Sequence, residues 1–231
     1  MRVAFAVLRL AVAAAVVAAV VAPLITSLRY WRDVAGIEDP TVQIVHFFSF
    51  FTIESNLIAV VTLVIGAALL LRRDGEDPRW YAVLRLSATT YMVTTGIVYN
   101  LLLRGIQLPQ GSTLGWSNEI LHVVAPLWML IDWLLAPGRR PLRWRAVWVV
   151  VAFPIVWACY TLIRGPLTPD AVQHRDYWYP YPFLDPNSAP SGYWSVAGYI
   201  VLIAAVIAVV GLGAVWLSRL ARPRATPPAR A

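Results

Sequence analysis

Lysine is absent from this sequence, cysteine occurs once, and charged residues make up only 13% of its 231 positions. An ordinary soluble domain carries roughly 25% charged residues, so a chain this poor in charge does not fit that class. The single cysteine, Cys159, excludes an internal disulfide and any metal site built from several cysteines. We interpret Cys159 as a small buried apolar side chain.

Long apolar runs take the place of the missing charge. Hydrophobic residues make up 59% of the chain, and the mean hydropathy is +0.65. Several runs reach the ~20 residues needed to cross a bilayer core, which predicts an all-α polytopic membrane protein with six spans. The predicted spans cover about 3–28, 45–71, 81–103, 116–136, 144–163 and 192–217. The first could also be a signal peptide, but its apolar run exceeds the usual ~7–15 residues, so we expect a retained helix.

The arginines predict how the bundle lies in the membrane. Fourteen of the nineteen fall on one side of the six spans, and five on the other. Because positive loops stay in the cytoplasm, we expect both termini to be cytoplasmic and the chain to reside in the cell membrane. We expect a six-helix domain over 1–221 and a disordered tail over 222–231, which lacks apolar periodicity. No arginine cluster lies on a soluble domain, so nucleic acid is not an expected partner.

Polar side chains from five spans are predicted to share one layer in the outer half of the bilayer. At 1.5 Å per residue, Thr52 lies roughly 7–8 Å below the start of its span and His122 roughly 9 Å below its own. The other candidates at this level are Asn56, Asn100, Asn118 and Tyr160, with Ser191, Tyr193 and Ser195 at the start of the sixth span. The inner half has one strong polar interruption, Asp132. Polar groups at such depth mark functional sites, although they could also simply join helices by hydrogen bonds.

Thr52 and His122 could act as a nucleophile and its base. A threonine hydroxyl attacks an ester carbonyl only when a nearby base removes its proton, and a neutral histidine is the usual base. Asn56, Asn100 or Asn118 could stabilise the oxyanion that forms. Glu54 and Asp185 are both open as the group that orients the imidazole. No G-x-S-x-G motif is present, so an α/β-hydrolase is not expected.

A zinc site is the other chemistry that these residue types allow. His46, His122 and His174 are all predicted on the outer side, and Glu54 or Asp185 could add a carboxylate. None of them shows the spacing of a metal-binding motif. We therefore expect no metal or other cofactor. His46 is then an interfacial side chain and His174 a solvated one.

The loop between the fifth and sixth predicted spans is long and rich in aromatic residues and prolines. The letters YWYPYPF occupy 177–183. Such a composition predicts a loop that packs at the membrane interface as a lid, rather than a flexible linker. Tyr181 lies in this segment.

Three short blocks stand out in the sequence: FFTI at 50–53, GWSNEILH at 115–122 and YPFLD at 181–185. In this order they resemble blocks of the androgen-induced protein family, which includes the androgen-dependent TFPI-regulating protein. The resemblance implies a multi-span membrane hydrolase of fatty acid esters of hydroxy fatty acids, with Thr52 and His122 as its catalytic pair. It also implies that Asn118 and Tyr181 belong to the site.

The chain departs from the animal pattern at Glu54 and Asn56, which suggests a bacterial branch. Its exclusive use of arginine and its Ala/Val-rich first span also look bacterial. The expected function is therefore a threonine-dependent lipid-ester hydrolase whose partners are a lipid ester and membrane lipids. The alternatives are a non-enzymatic membrane protein that binds or transports a lipid or small molecule, and an accessory subunit.

Overall fold

A computed structural model describes residues 1–106 and 114–220 of the chain. Within these ranges every long regular element is a helix, and the only β-type pairing is one isolated bridge between Asp170 and Arg175. The α-helices are α1 (Arg2–Asp33), α2 (Thr41–Phe48), α3 (Phe51–Arg72), α4 (Arg79–Val98), α5 (Gly115–Glu119), α6 (Ala125–Leu135), α7 (Ala146–Arg164) and α8 (Tyr193–Leu220). The predicted tail, 222–231, lies outside the described residues.

Within residues 1–106 and 114–220, six helical segments are long and apolar enough to cross a membrane. They are Arg2–Asp33, Phe51–Arg72, Arg79–Leu103, Gly115–Leu135, Ala146–Leu167 and Tyr193–Leu220. The prediction of an all-α, six-span membrane bundle is therefore confirmed. Helix α4 occupies the centre, where it packs against α3, α6 and α8, while α1 packs on α3 and α7 on α8.

The second predicted span, 45–71, is not one continuous helix. Helix α2 ends at Phe48, and α3 begins at Phe51 after Phe50 adopts an extended backbone. The Trp157 indole donates to the Ser49 carbonyl at 3.0 Å, and the Phe50 ring meets Trp178 and Tyr181 edge-on. These are tertiary contacts, so the uninterrupted apolar pattern could not reveal the break. Its effect is to place Thr52 in the first turn of α3.

Two π turns occur in the described helices, close to His122. Tyr99–Leu103 continues α4, and Ile120–Val124 joins α5 to α6. The second has a local cause, because Pro126 has no N–H and cannot donate to the carbonyl of His122 four residues earlier. The Asn100 amide lies 3.4 Å from that carbonyl instead. Such π turns occur frequently at functional sites, and this one carries His122.

Opposite charges are buried together at the end of the bundle that lies away from Thr52 and His122. Asp132 accepts hydrogen bonds from Arg9 at 2.8 and 3.1 Å and from Arg85 at 2.9 Å. Arg85 also contacts Asp77 at 3.1 Å. Gly66 leaves room for this cluster, because a Cβ there would collide with Arg9 and Tyr81. Arg9 and Arg85 are two of the fourteen arginines counted on the predicted cytoplasmic side, and both are fully buried.

The loop between α7 and α8 packs onto the bundle as expected of a lid. Trp178, Tyr181 and Leu184 are buried, and a short 3₁₀ turn spans Pro182–Leu184. We call residues 168–192 the lid, and the end of the bundle that it covers the lid end. The expectation for Cys159 is wrong, since its side chain is exposed on α7. Helix α7 turns this face away from the other helices.

Candidate active site

Thr52 and His122 are in contact at the lid end. The Thr52 Oγ1 lies 3.3 Å from His122 Nε2, and both side chains are buried. This separation is slightly longer than the ~2.6–3.2 Å of a tight catalytic pair, and such bonds often shorten only when substrate binds. Two residues 70 positions apart in the chain thus form one polar pair inside an apolar bundle.

The other imidazole nitrogen of His122 is held by the backbone. Nδ1 lies 3.0 Å from the carbonyl oxygen of Asn118, one turn earlier. Because a carbonyl oxygen can only accept, Nδ1 carries the proton, and Nε2 of the neutral ring is left to accept from Thr52. The Tyr99 ring stacks on the imidazole with 3.8 Å between centroids and 20° between planes. The imidazole of His122 is therefore fixed in both tautomer and orientation.

Tyr181 of the lid completes the group around Thr52. Its hydroxyl oxygen lies 3.2 Å from the Thr52 backbone nitrogen and 3.3 Å from Thr52 Oγ1. The backbone N–H donates to the phenol, which leaves the phenol proton free to point at Thr52 Oγ1 or at an oxygen beside it. Burial raises the pKa of Tyr181 to about 12, so the group remains a donor at neutral pH.

Asn56 is adjacent to the pair but is used to join helices. Its Nδ2 donates to the carbonyls of Thr52 at 2.9 Å and of Leu121 at 3.2 Å. Both amide hydrogens are thereby occupied, so this geometry does not fit the predicted role of oxyanion donor. Asn56 instead braces the turn that carries Thr52 against the turn that carries His122. Within the described part of the chain its Oδ1 has no hydrogen-bond partner.

The other predicted site residues lie around the pair rather than against it. Asn100 donates at 2.8 Å to Gly96 of its own helix, and its oxygen accepts from Arg104 at 2.9 Å. Asn118 contributes its backbone carbonyl to His122. Tyr160 points elsewhere, with its hydroxyl 3.0 Å from Ser49 Oγ. None of the three lines the cavity beside Thr52.

Neither predicted carboxylate orients the imidazole. Asp185 accepts from the backbone and side chain of Asn187 and from Ser188 Oγ, which stabilises a turn of the lid. Glu54 is half-buried, and its Oε2 has no hydrogen-bond partner among the described residues. The backbone carbonyl of Asn118 takes the place that a carboxylate holds in many hydrolases. That contact could not be read from residue types, because any residue at position 118 would supply it.

An apolar cavity of about 150 Å³ opens beside Thr52. Side chains from five elements line it: Phe51, Thr52, Thr94, Thr95, Val98, Tyr99, Leu103, Val151, Pro154, Ile155, Trp157, Ala158, Tyr181, Phe183, Leu184, Ile200, Ile203, Ala204 and Ile207. None of these is charged. The Thr52 hydroxyl therefore borders a space suited to a hydrocarbon chain.

The three histidines do not form a metal site. Among residues 1–106 and 114–220, no three His, Cys, Asp or Glu side chains lie close enough together to hold an ion. His46 stacks on Trp178 of the lid, 4.1 Å between centroids. His174 is exposed in the lid with a positive φ of 53°. The described residues therefore provide no clustered set of ligands that would support the zinc alternative.

Sequence reasoning missed two residues that shape the site. Tyr99 orients His122 by stacking, and Trp157 holds the break before Thr52. Both look like ordinary apolar positions in a span. Pro126, four residues after His122, was the one signal available for an altered helix at the base.

No protein-family model matches the chain, and no curated protein or solved structure matches it. What the fold defines is a class: a polytopic membrane protein of six helices. The buried Thr–His–Tyr group beside an apolar cavity is its most distinctive chemical feature.

Proposed function

We propose that the chain is an intramembrane lipid-ester hydrolase in which Thr52 is the nucleophile and His122 the base. One observation carries the proposal: the continuous hydrogen-bond path from Tyr181 through Thr52 and His122 to the Asn118 carbonyl. The path gives each group one role. The tyrosine donates, the threonine hydroxyl gives its proton to Nε2, and the carbonyl holds the imidazole in place.

The reaction follows from these roles. Thr52 Oγ1 attacks the ester carbonyl carbon while its proton passes to His122 Nε2. The carbonyl oxygen becomes an oxyanion, and the Tyr181 hydroxyl donates to it. The positive end of the α3 dipole lies at the same place and favours negative charge. The intermediate then expels the alcohol, which takes the proton from His122 and leaves an acyl-threonine.

Water completes the cycle by the same groups. His122 removes a proton from a water molecule, whose oxygen attacks the acyl carbon. A second oxyanion collapses, the acid leaves, and the proton returns to Thr52 Oγ1. We further propose that the lid end faces outward and both termini face the cytoplasm of a bacterial cell, as the arginine distribution predicts.

The assignment is tested on the full chain purified in detergent, with a long-chain ester as substrate. Thr52→Ala and His122→Ala should each abolish cleavage, and fluorophosphonate labelling should be lost with Thr52. Thr62→Ala is the matched control, because its buried hydroxyl only bonds to Ile58 of the same helix at 2.7 Å. Equal cleavage by the wild type and both site variants would refute the assignment.

A second candidate is lipid binding without turnover, which the uncharged cavity also supports. It predicts that a lipid co-purifies with wild type and with Thr52→Ala alike, without cleavage or fluorophosphonate labelling. The same set of variants therefore separates the two functions.

A further inference from the structure

The cavity beside Thr52 runs along two antiparallel helices. On α7 its lining extends from Val151 to Ala158, and on α8 from Ile200 to Ile207. The first and last lining residues are seven positions apart on each helix, which corresponds to roughly 10 Å at 1.5 Å per residue. Because Thr52 and Tyr181 lie at the lid end, the cavity leads from the reactive hydroxyl toward the middle of the bundle.

The far end of this cavity is closed by packed side chains. Ile207, Val150 and Tyr91 are all buried there in one apolar cluster. The Tyr91 hydroxyl donates to the Val150 carbonyl at 2.8 Å, which ties α4 to α7. A hydrocarbon chain that enters from the Thr52 side is therefore stopped by these packed side chains.

The side of the cavity is less closed than its end. Ile155 and Ala204 both line it, yet both are exposed on the outer surface of the bundle. Their helices are also lightly packed. The most apolar stretches of α7 and α8 are 11% and 22% buried, against 50% and 56% for α3 and the α4 segment. The seam between α7 and α8 is thus where the cavity comes nearest to lipid.

We propose that a bilayer-resident ester enters sideways between α7 and α8, past Ile155 and Ala204, and lays one uncharged hydrocarbon arm along the cavity. The ester nature of the ligand rests on the proposed function, but the access route does not. Lipid tails already fill the space outside Ile155 and Ala204 in a membrane, so the arm passes from one apolar surrounding to another. No charged group has to be desolvated on the way.

The route is tested by placing a bulky side chain at the α7–α8 seam, on either helix. The full chain is reconstituted in nanodiscs. The probe is a fatty acid ester with a diazirine on its acyl chain, and the labelled peptides are mapped by mass spectrometry. Wild type should be labelled on α7 and α8. Ala204→Trp should lower this labelling about tenfold, as expected when a pocket no longer admits part of its ligand.

Neighbouring residues provide matched controls. Ala205 and Val156 are exposed on the same helices but do not line the cavity. Ala205→Trp should therefore label as wild type does. A second pair of variants on α7 repeats the comparison in case Ala204→Trp does not fold. Ile155→Trp is the blocked variant, and Val156→Trp is its control. Equal labelling of blocked and control variants, or labelling confined to the lid, would overturn the proposed route.

Cleavage of the same ester is measured in parallel so that the two proposals can fail separately. If labelling falls in the blocked variants but wild type and Thr52→Ala cleave equally, the access route stands and the hydrolase assignment fails. If cleavage depends on Thr52 but blocked and control variants are equally labelled, the hydrolase assignment stands and the route is wrong.

Discussion

His122 Nδ1 lies 3.0 Å from the backbone carbonyl of Asn118 in the preceding turn. A hydrolytic triad usually assigns this contact to a carboxylate, which both orients the imidazole and stabilises its positive charge. A carbonyl oxygen can hold the tautomer, but it carries only a partial negative charge. In the proposed mechanism the site therefore has less stabilisation for an imidazolium and depends more on groups that stabilise the oxyanion. Tyr181 is the group that we propose to donate to this oxyanion.

We predict that Tyr181→Phe lowers kcat for ester cleavage about 10²–10³-fold, the usual effect of removing one oxyanion donor. KM should change little, because the phenyl ring that lines the cavity is retained. The measurement is steady-state cleavage of a long-chain ester in detergent. Tyr160→Phe serves as the control, since its hydroxyl meets Ser49 outside the cavity. A loss of equal size in both variants would show that Tyr181 acts on stability alone.

How much of this site the sequence predicts depends on the range of each interaction. Thr52 and His122 were predicted as a pair because polar groups in apolar spans are few, and helical rise places the two at one depth. Tyr181 lies in the loop before the sixth span and was predicted only from the family resemblance of the YPFLD block. The geometry does not fit the oxyanion role predicted for Asn56, because the depth argument cannot say which carbonyls its amide will reach. In the structure the Asn56 amide donates to two neighbouring backbone carbonyls, those of Thr52 and Leu121.

The fold shows the same limit. Six spans follow from hydropathy alone, since each is a property of a continuous stretch. The break at Phe50 depends on Trp157 and the lid, which come more than 100 residues later. The pairing of Arg9 with Asp132 joins residues 123 positions apart. Arginine near the end of a span usually reaches the membrane surface, so burial of Arg9 had no local signal.

We predict that Asp132→Asn destabilises the bundle by about 3–5 kcal/mol, the cost of breaking a buried ion pair from one side. The carboxylate is the shared partner of two buried arginines, so its loss leaves Arg9 without this partner and Arg85 paired with Asp77 alone. Thermal unfolding in detergent measures the change. Glu119→Gln is the control, because its pair with Arg104 is half-exposed and should contribute at most about 1 kcal/mol. Similar small shifts in both variants would contradict a structural role for the cluster.

We predict that His46 makes the stability of the fold, including the lid contacts, dependent on pH. Burial, with a smaller contribution from Arg164, lowers the pKa of His46 to about 3, and its ring stacks on Trp178. In the unfolded chain a histidine titrates near 6.5. Between that pH and about 3, the unfolded chain binds a proton that the folded chain does not, so stability falls as the pH falls through this window.

Replacing His46 by phenylalanine should remove this dependence while keeping a ring against Trp178. We expect the midpoint of thermal unfolding in detergent to decrease less between pH 7.5 and pH 4.5 in His46→Phe than in wild type. His174→Asn is the control, since this histidine is exposed and asparagine tolerates its positive φ. Its pH profile should follow that of wild type. If His46→Phe and wild type lose stability in parallel on acidification, the buried histidine is not the source of the acid sensitivity.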